Sequence, residues 1–221
     1  MHPISKSSIK ALLSICLLVC TYVHAWKDNK SPSRLLALHN NVRKSVVNGE
    51  LAGQPMAVSL KSLEWDKELE RKAQILADNC SFTHDNVTNR STSSFAYVGQ
   101  NIAGANNVDI GFGLWLNENI YYKFFNRSCL VGKCNHYTQI VSQNTTHIGC
   151  GVATCKNSPF KMSIVCNYGP GGNHTSEFPY RAKGIDKPVT PMLPKPEHHE
   201  PPTVNKSLPS LLKAPKLKSS T

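Results

Sequence analysis

Hydrophobic positions along the chain follow a helical period first and an alternating one later. Ser31 followed by Pro32 offers a capping side chain and a proline at the first helical position, and Leu35, Leu38, Val42 and Val46 then recur at steps of three and four until Gly49. This predicts a first helix. A second is predicted from Asp66 onward, where Leu69, Ala73, Leu76, Ala77 and Cys80 make one apolar stripe, and a third over Ile110 to Phe125, carrying Leu114, Trp115 and Glu118. From His136 the pattern shortens and β-formers dominate. Tyr137 to Ser142, Ile148 to Thr154 and Met162 to Tyr168 read as strands separated by Asn, Thr, Pro and Lys turns. Helices first and a Cys-linked antiparallel sheet afterwards indicate an α+β body, not a doubly wound one.

The two ends do not fit this body. Lys6 and Lys10 precede a mostly apolar run from Ala11 to Val23 that ends in Val23, His24 and Ala25, the layout of a secretory signal peptide cleaved after Ala25. From Ile185 to Thr221, eight of the chain's 14 prolines mix with Lys and Ser and no Cys. Such a segment buries too little apolar area to offset its ordering entropy and reads as a disordered tail. The expected organisation is therefore a signal at 1–25, one domain at 26–184 and a tail at 185–221. No apolar run reaches the roughly 18 residues of a membrane span.

Charge changes meaning once the chain is divided. The whole carries +11, with 25 Lys and Arg against 14 Asp and Glu. The signal and the tail take part of this excess, and what stays on the body is spread without a block of like charges, so a nucleic-acid partner is not expected. Two of the eight Cys leave with the signal. The other six (Cys80, Cys129, Cys134, Cys150, Cys155 and Cys166) imply three disulfides in an exported protein, in any of 15 pairings. There is no CxxC pair to suggest a zinc ribbon. Asn29, Asn79, Asn86, Asn89, Asn126, Asn144, Asn173 and Asn205 each begin an Asn-x-Ser/Thr triplet, which fits a secreted, extracellular glycoprotein.

Seven stretches carry a resemblance: HNNVR at 39–43, LEWDKEL at 63–69, AQILADNCSFTH at 73–84, GQNIA at 99–103, HYTQIV at 136–141, HIGCGVATC at 147–155 and CNYGPGGN at 166–173. In order and spacing they resemble the CAP superfamily of cysteine-rich secretory proteins, antigen 5 and plant pathogenesis-related proteins. Within it the chain is most similar to the venom allergen-like proteins of schistosomes and related helminths. The resemblance implies a three-layer α-β-α sandwich and disulfides Cys80 to Cys155, Cys129 to Cys134 and Cys150 to Cys166.

It also implies a cleft in which two His and two carboxylates hold a divalent cation. Carried onto this chain, three of the four are His84, Glu118 and His136. The fourth should be a Glu in a GENI-like turn, but the turn reads Gly99, Gln100, Asn101, Ile102. Gln100 keeps a carbonyl acceptor and loses the charge and the proton-transfer capacity of a carboxylate. Two imidazoles and one carboxylate still form a zinc or copper set, in a weakened site; the other reading is a hydrogen-bonded polar cluster kept by the fold. No cofactor is required. Asn135 replaces the family's usual Gly before the His136 strand, and Ser142 replaces the usual Trp after it. No GxSxG elbow or HExxH helix is present, so an enzyme is not expected.

Tyr121, Tyr122, Phe124 and Phe125 fall within five residues, too wide an arc for one core-facing stripe, so some must face a groove, a partner or solvent. Their position matches the family's caveolin-binding-like loop, which the resemblance associates with sterols. Two aromatics each covering roughly 150 Å² would supply about 7 kcal/mol, against about 8 for micromolar affinity, so neighbouring apolar walls must help. The resemblance adds a channel for fatty acids, with the first helix and Phe112 and Leu114 as candidate walls. The functional expectation is a secreted, non-enzymatic protein binding sterols and fatty acids, in lipid export or scavenging at a host interface. The alternative is an interaction or immunomodulatory protein that acts through a host extracellular partner.

Overall fold

The structure, a computed structural model, describes residues 32–172 and 177–184. The predicted signal and tail and the sequons at Asn29, Asn173 and Asn205 lie outside the described residues.

The first helix, α1 (Pro32–Asn48), buries Leu35, Val42 and Val46 as its period predicts. Its buried face also carries two polar side chains, His39 and Arg43, one turn apart. The Nδ1 of His39 lies 2.7 Å from the Leu35 carbonyl, which only accepts, so Nδ1 carries a proton; Nε2 then accepts from the Tyr168 hydroxyl at 2.7 Å. Burial holds the imidazole neutral and lowers its pKa to about 4. Arg43 donates to the carbonyls of Lys61, Ile140, Ser142 and Thr145, tying α1 to two later segments, and burial lowers its pKa to about 10.

Asp66 caps α2 (Lys67–Asp78) by accepting from the Leu69 amide at 2.8 Å, and Glu68 and Glu70 complement the dipole in its first turn. The buried stripe of Leu69, Ala73 and Ala77 lies against β5 (His147–Thr154). The approach is close enough that a Cβ on Gly149 or Gly151 would strike the α2 backbone at Glu70 and Gln74. A short helix, α3 (Val87–Arg90), follows.

The sheet has the order β1 (Glu64–Trp65), β5, β6 (Met162–Gly169), β2 (Gly99–Ala105). β6 pairs antiparallel with both neighbours, whereas β1 runs parallel to β5, so the sheet is mixed rather than wholly antiparallel as predicted. Helix α2 covers one face, around Val165, and α1, α4 (Val108–Leu116) and α5 (Asn135–Ile140) cover the other. This is a three-layer α-β-α sandwich. All three implied disulfides form, with Cys150 and Cys166 directly opposite each other on β5 and β6.

Three expected elements differ. The third helix stops at Leu116 and passes through a 3-10 turn (Asn117–Ile120) into a hairpin, β3 (Tyr122–Lys123) and β4 (Ser128–Cys129). Asn117 and Asn119 are poor helix formers, and the Asn119 side chain takes the Leu116 carbonyl at 2.6 Å, closing the helix. Residues 137–142, expected as a strand, mostly belong to α5. The Glu118 carboxylate accepts from the His136 and Tyr137 amides at its start, and Arg43 takes the Ile140 carbonyl at its end. Tertiary charge overrides local β preference. Finally, Gly99 to Ile102, expected as a turn, opens β2, where each residue from Gly99 to Ala105 pairs with β6.

Candidate functional site

The four expected cleft residues form two hydrogen-bonded pairs. His84, on the loop after α2, lies with Nδ1 2.9 Å from the Gln100 Oε1. Gln100 is buried at the start of β2, and every bonding position of its amide is used. Its Nε2 donates to Asp85 Oδ1 at 3.1 Å and to Asn167 Oδ1 at 2.9 Å. Its Oε1 accepts from His84 and, at 3.3 Å, from Arg90. The network fixes its own polarity. The Asp85 carboxylate accepts from Arg90 at 2.9 Å, and Asn167 donates from Nδ2 to the Leu69 carbonyl, so both present oxygens that only a donor can meet. His84 therefore donates from Nδ1, and the ring stands at an exposed position.

The second pair is Glu118 and His136. Glu118 Oε1 lies 2.6 Å from His136 Nδ1, while Oε2 accepts from the His136 and Tyr137 amides at 2.8 and 3.0 Å. The imidazole stacks on Trp115, with ring centres 6.2 Å apart. Asn101 joins the two halves: it neighbours Gln100 on β2 and donates from Nδ2 to the His136 carbonyl at 3.1 Å. Among the described residues no three His, Cys, Asp or Glu side chains come together closely enough to hold a metal. Asp85, Arg90 and Asn167 belong to this site and escaped the sequence reading. The available signals were the adjacency of Asp85 to His84 and the place of Asn167 in the CNYGPGGN stretch.

The hairpin divides the four aromatics by strand alternation. Tyr122 and Phe124 point inward and are buried, Tyr122 against Tyr137 and Phe124 between Phe178 and Tyr180 at ring separations of 5.1 and 4.7 Å. Tyr121 and Phe125 are exposed. Beside the hairpin lies a cavity of about 130 Å³ whose wall includes Tyr122, Arg127, Ser142, Gly172, Phe178 and Pro179. Ser142, with its small side chain, forms part of that wall where the resemblance leads one to expect Trp. Arg127 stands over the Phe178 ring at 5.2 Å. Burial pushes the Tyr122 phenol up to about 12, so it stays neutral at the wall. The candidate channel walls are largely core: Leu35, Val42, Val46 and Phe112 are buried, and Leu114 is exposed. Asn79, Asn86, Asn89, Asn126 and Asn144 all stand exposed.

The model of the cysteine-rich secretory protein family, CAP, matches residues 36–168, more than half of the chain. The chain belongs to the CAP family. Among its relatives, Scoloptoxin SSD552 of Scolopendra dehaani is 33% identical over 163 residues, covering 70% of this chain and 75% of the relative. Venom allergen 5 of Vespa magnifica is 35% identical over 162 residues, 67% and 71% of the two chains. Venom allergen-like protein 4 of Schistosoma mansoni shares the structure with a TM-score of 0.64 at 34% identity, covering 69% of this CAP chain and 94% of that one.

Proposed function

We propose that this CAP protein is an extracellular, non-enzymatic lipid-binding protein that takes sterols at the hairpin and its adjoining cavity. The observation that carries the reading is the division of the hairpin aromatics: Tyr122 and Phe124 anchor it to the core, Tyr122 also lining the cavity, while Tyr121 and Phe125 stand exposed on the hairpin surface, where an apolar ligand can cover them. At about 130 Å³ the cavity is smaller than the roughly 300 Å³ at which ligand pockets begin, so it takes only part of a sterol and the rest lies over the hairpin surface. Fatty acids would use the α1 and α4 side. Disulfides at all six Cys of the body favour an oxidising, extracellular setting, as do relatives named as a toxin and a venom allergen.

A metal has a lesser place in this reading. A structural neighbour, NaASP2, 26% identical with a TM-score of 0.56, was solved with Zn2+. In this chain His84 and His136 turn Nδ1 toward Gln100 and Glu118, but Gln100 brings no charge, its amide is saturated, and the Arg90 guanidinium lies against it. This donor set does not fit a tightly held dication, and no step of the proposed function passes through one.

The test is competition for radiolabelled cholesterol by protein secreted from a eukaryotic host. Tyr121→Ala combined with Phe125→Ala should weaken binding at least about tenfold, a loss of roughly 1.4 kcal/mol or more, with the unfolding midpoint unchanged. Phe124→Ala should lower the midpoint as well. Wild-type protein that binds no sterol overturns the reading.

A further inference from the structure

We infer that the open end of the hairpin is a docking element for anionic phospholipid membranes. Four large apolar side chains are exposed there: Ile120 at 65%, Tyr121 at 44%, Leu130 at 62% and Val131 at 67%. Single exposed apolar residues are ordinary, but a group of them is not. The register sets them at the same end of the hairpin, Ile120 as the last residue of the 3-10 turn. Tyr122 pairs with Cys129, and the Leu130 amide donates to the Tyr121 carbonyl at 2.9 Å, so Tyr121 and Leu130 stand opposite each other, with Ile120 and Val131 one step further along.

The cluster is held out rather than loosely tethered. Cys129 and Cys134 close a six-residue loop whose tight turn uses Gly132 at a φ of +64°, and Cys134 is itself buried in the core. Little conformational entropy remains to be lost when the loop meets another surface. Two exposed lysines flank it, Lys133 within the loop and Lys123 on β3. The chain has no Asp or Glu anywhere between Glu118 and Glu177, so no acid on this segment offsets them. An apolar tip framed by two lysines on an acid-free segment, with Glu177 on the adjoining cavity wall the acid that lies near it, matches a bilayer interface of negative surface charge, where the tip enters the headgroup region and the lysines meet phosphates. The sequon at Asn126 lies in the turn at the opposite end of the hairpin, where the Arg127 amide donates to the Phe124 carbonyl, so a glycan there points away from the docking end.

The inference does not depend on sterol capture, and its test leaves sterol out. Protein recovered from the medium of a secreting host is mixed with sterol-free vesicles and separated by flotation. Vesicles of phosphatidylcholine with about 30 mol% phosphatidylserine should carry the protein, and phosphatidylcholine alone should carry much less. Leu130→Ser with Val131→Ser should cut flotation at least about tenfold, and Lys123→Glu with Lys133→Glu about fivefold or more per lysine, with the latter sensitive to salt. All four positions are exposed, so the unfolding midpoint should stay within about 1 °C of wild type. Wild-type protein that stays with the aqueous phase in both preparations overturns the inference. So does loss of a dimer, seen by light scattering, in the Leu130→Ser, Val131→Ser protein without any change in flotation, because the cluster would then be an interface with a second copy.

Discussion

Gln100 shows how one side chain can refit a site. A glutamate there could not donate, and its carboxylate would face the oxygens of Asp85 and Asn167, both of which now accept from Nε2. The amide thus suits its neighbours as they stand, and Arg90 supplies positive charge where a cation site would want none. The replacement itself was legible in the sequence, because GQNIA stands where a GENI-like stretch was expected. Its partners were not, since Asn167 lies 67 residues away and only the β2 to β6 register brings the two together. Gln100→Glu should therefore lower stability by about 1–2 kcal/mol, the cost of leaving buried acceptors without a donor, as read from urea midpoints. The same variant should bind Zn2+ about tenfold more tightly by calorimetry, since a full charge at contact distance contributes at least ~1 kcal/mol even under water-like screening. An unchanged zinc isotherm would show that the missing charge is not what weakens the site.

Among the elements, those whose pattern is local could be read and those shaped by distant groups could not. Helix α2 and strands β5 and β6 follow their own periodicity, and the sequence places them to within a residue or two. Helix α5 does not. Its six residues include β-formers such as Tyr137, Thr138 and Ile140, and it is too short to be stable by itself. Glu118 at one end and Arg43 at the other make it helical, and neither can be inferred from the segment alone. Glu118 is also the expected cleft carboxylate, so its two oxygens serve the helix and the His136 ring at once. Glu118→Ala should therefore cost about 2–3 kcal/mol, and Glu118→Gln, which keeps one acceptor, roughly half as much. Hydrogen exchange at the amides of His136 and Tyr137 gives the direct check. They should lose protection in Glu118→Ala well before the amides of β6 do, and equal protection in both segments would refute the capping role.

On the scale of the whole molecule, the sheet is clamped from two sides, and the clamp on the larger core contains a titratable group. His39 joins α1 to β6 through Tyr168, fully buried, and it functions only as a neutral ring, accepting on Nε2 and donating from Nδ1. Its pKa of about 4 in the folded protein lies below the unfolded value of 6.5. The unfolded chain therefore binds a proton in a pH range where the folded one does not. The stability this group supports is complete above pH 6.5 and is lost as the pH falls toward 4. The gap corresponds to about 3 kcal/mol in all, of which about 2 should be gone by pH 5. Because α1 and β6 sit in different layers, the loss should appear as a shift of the global unfolding midpoint, with an unchanged dependence on denaturant. The Cys80 to Cys155 bridge spans 75 residues and contributes about 4.5 kcal/mol in the chain-entropy model at any of these pH values, so it offsets the weakening without altering its slope. His39→Gln retains a donor and an acceptor but no titration. Its stability should start lower at pH 7 and then fall less steeply than wild type between pH 7 and 5. Parallel curves for the two proteins would mean that the pH response arises elsewhere.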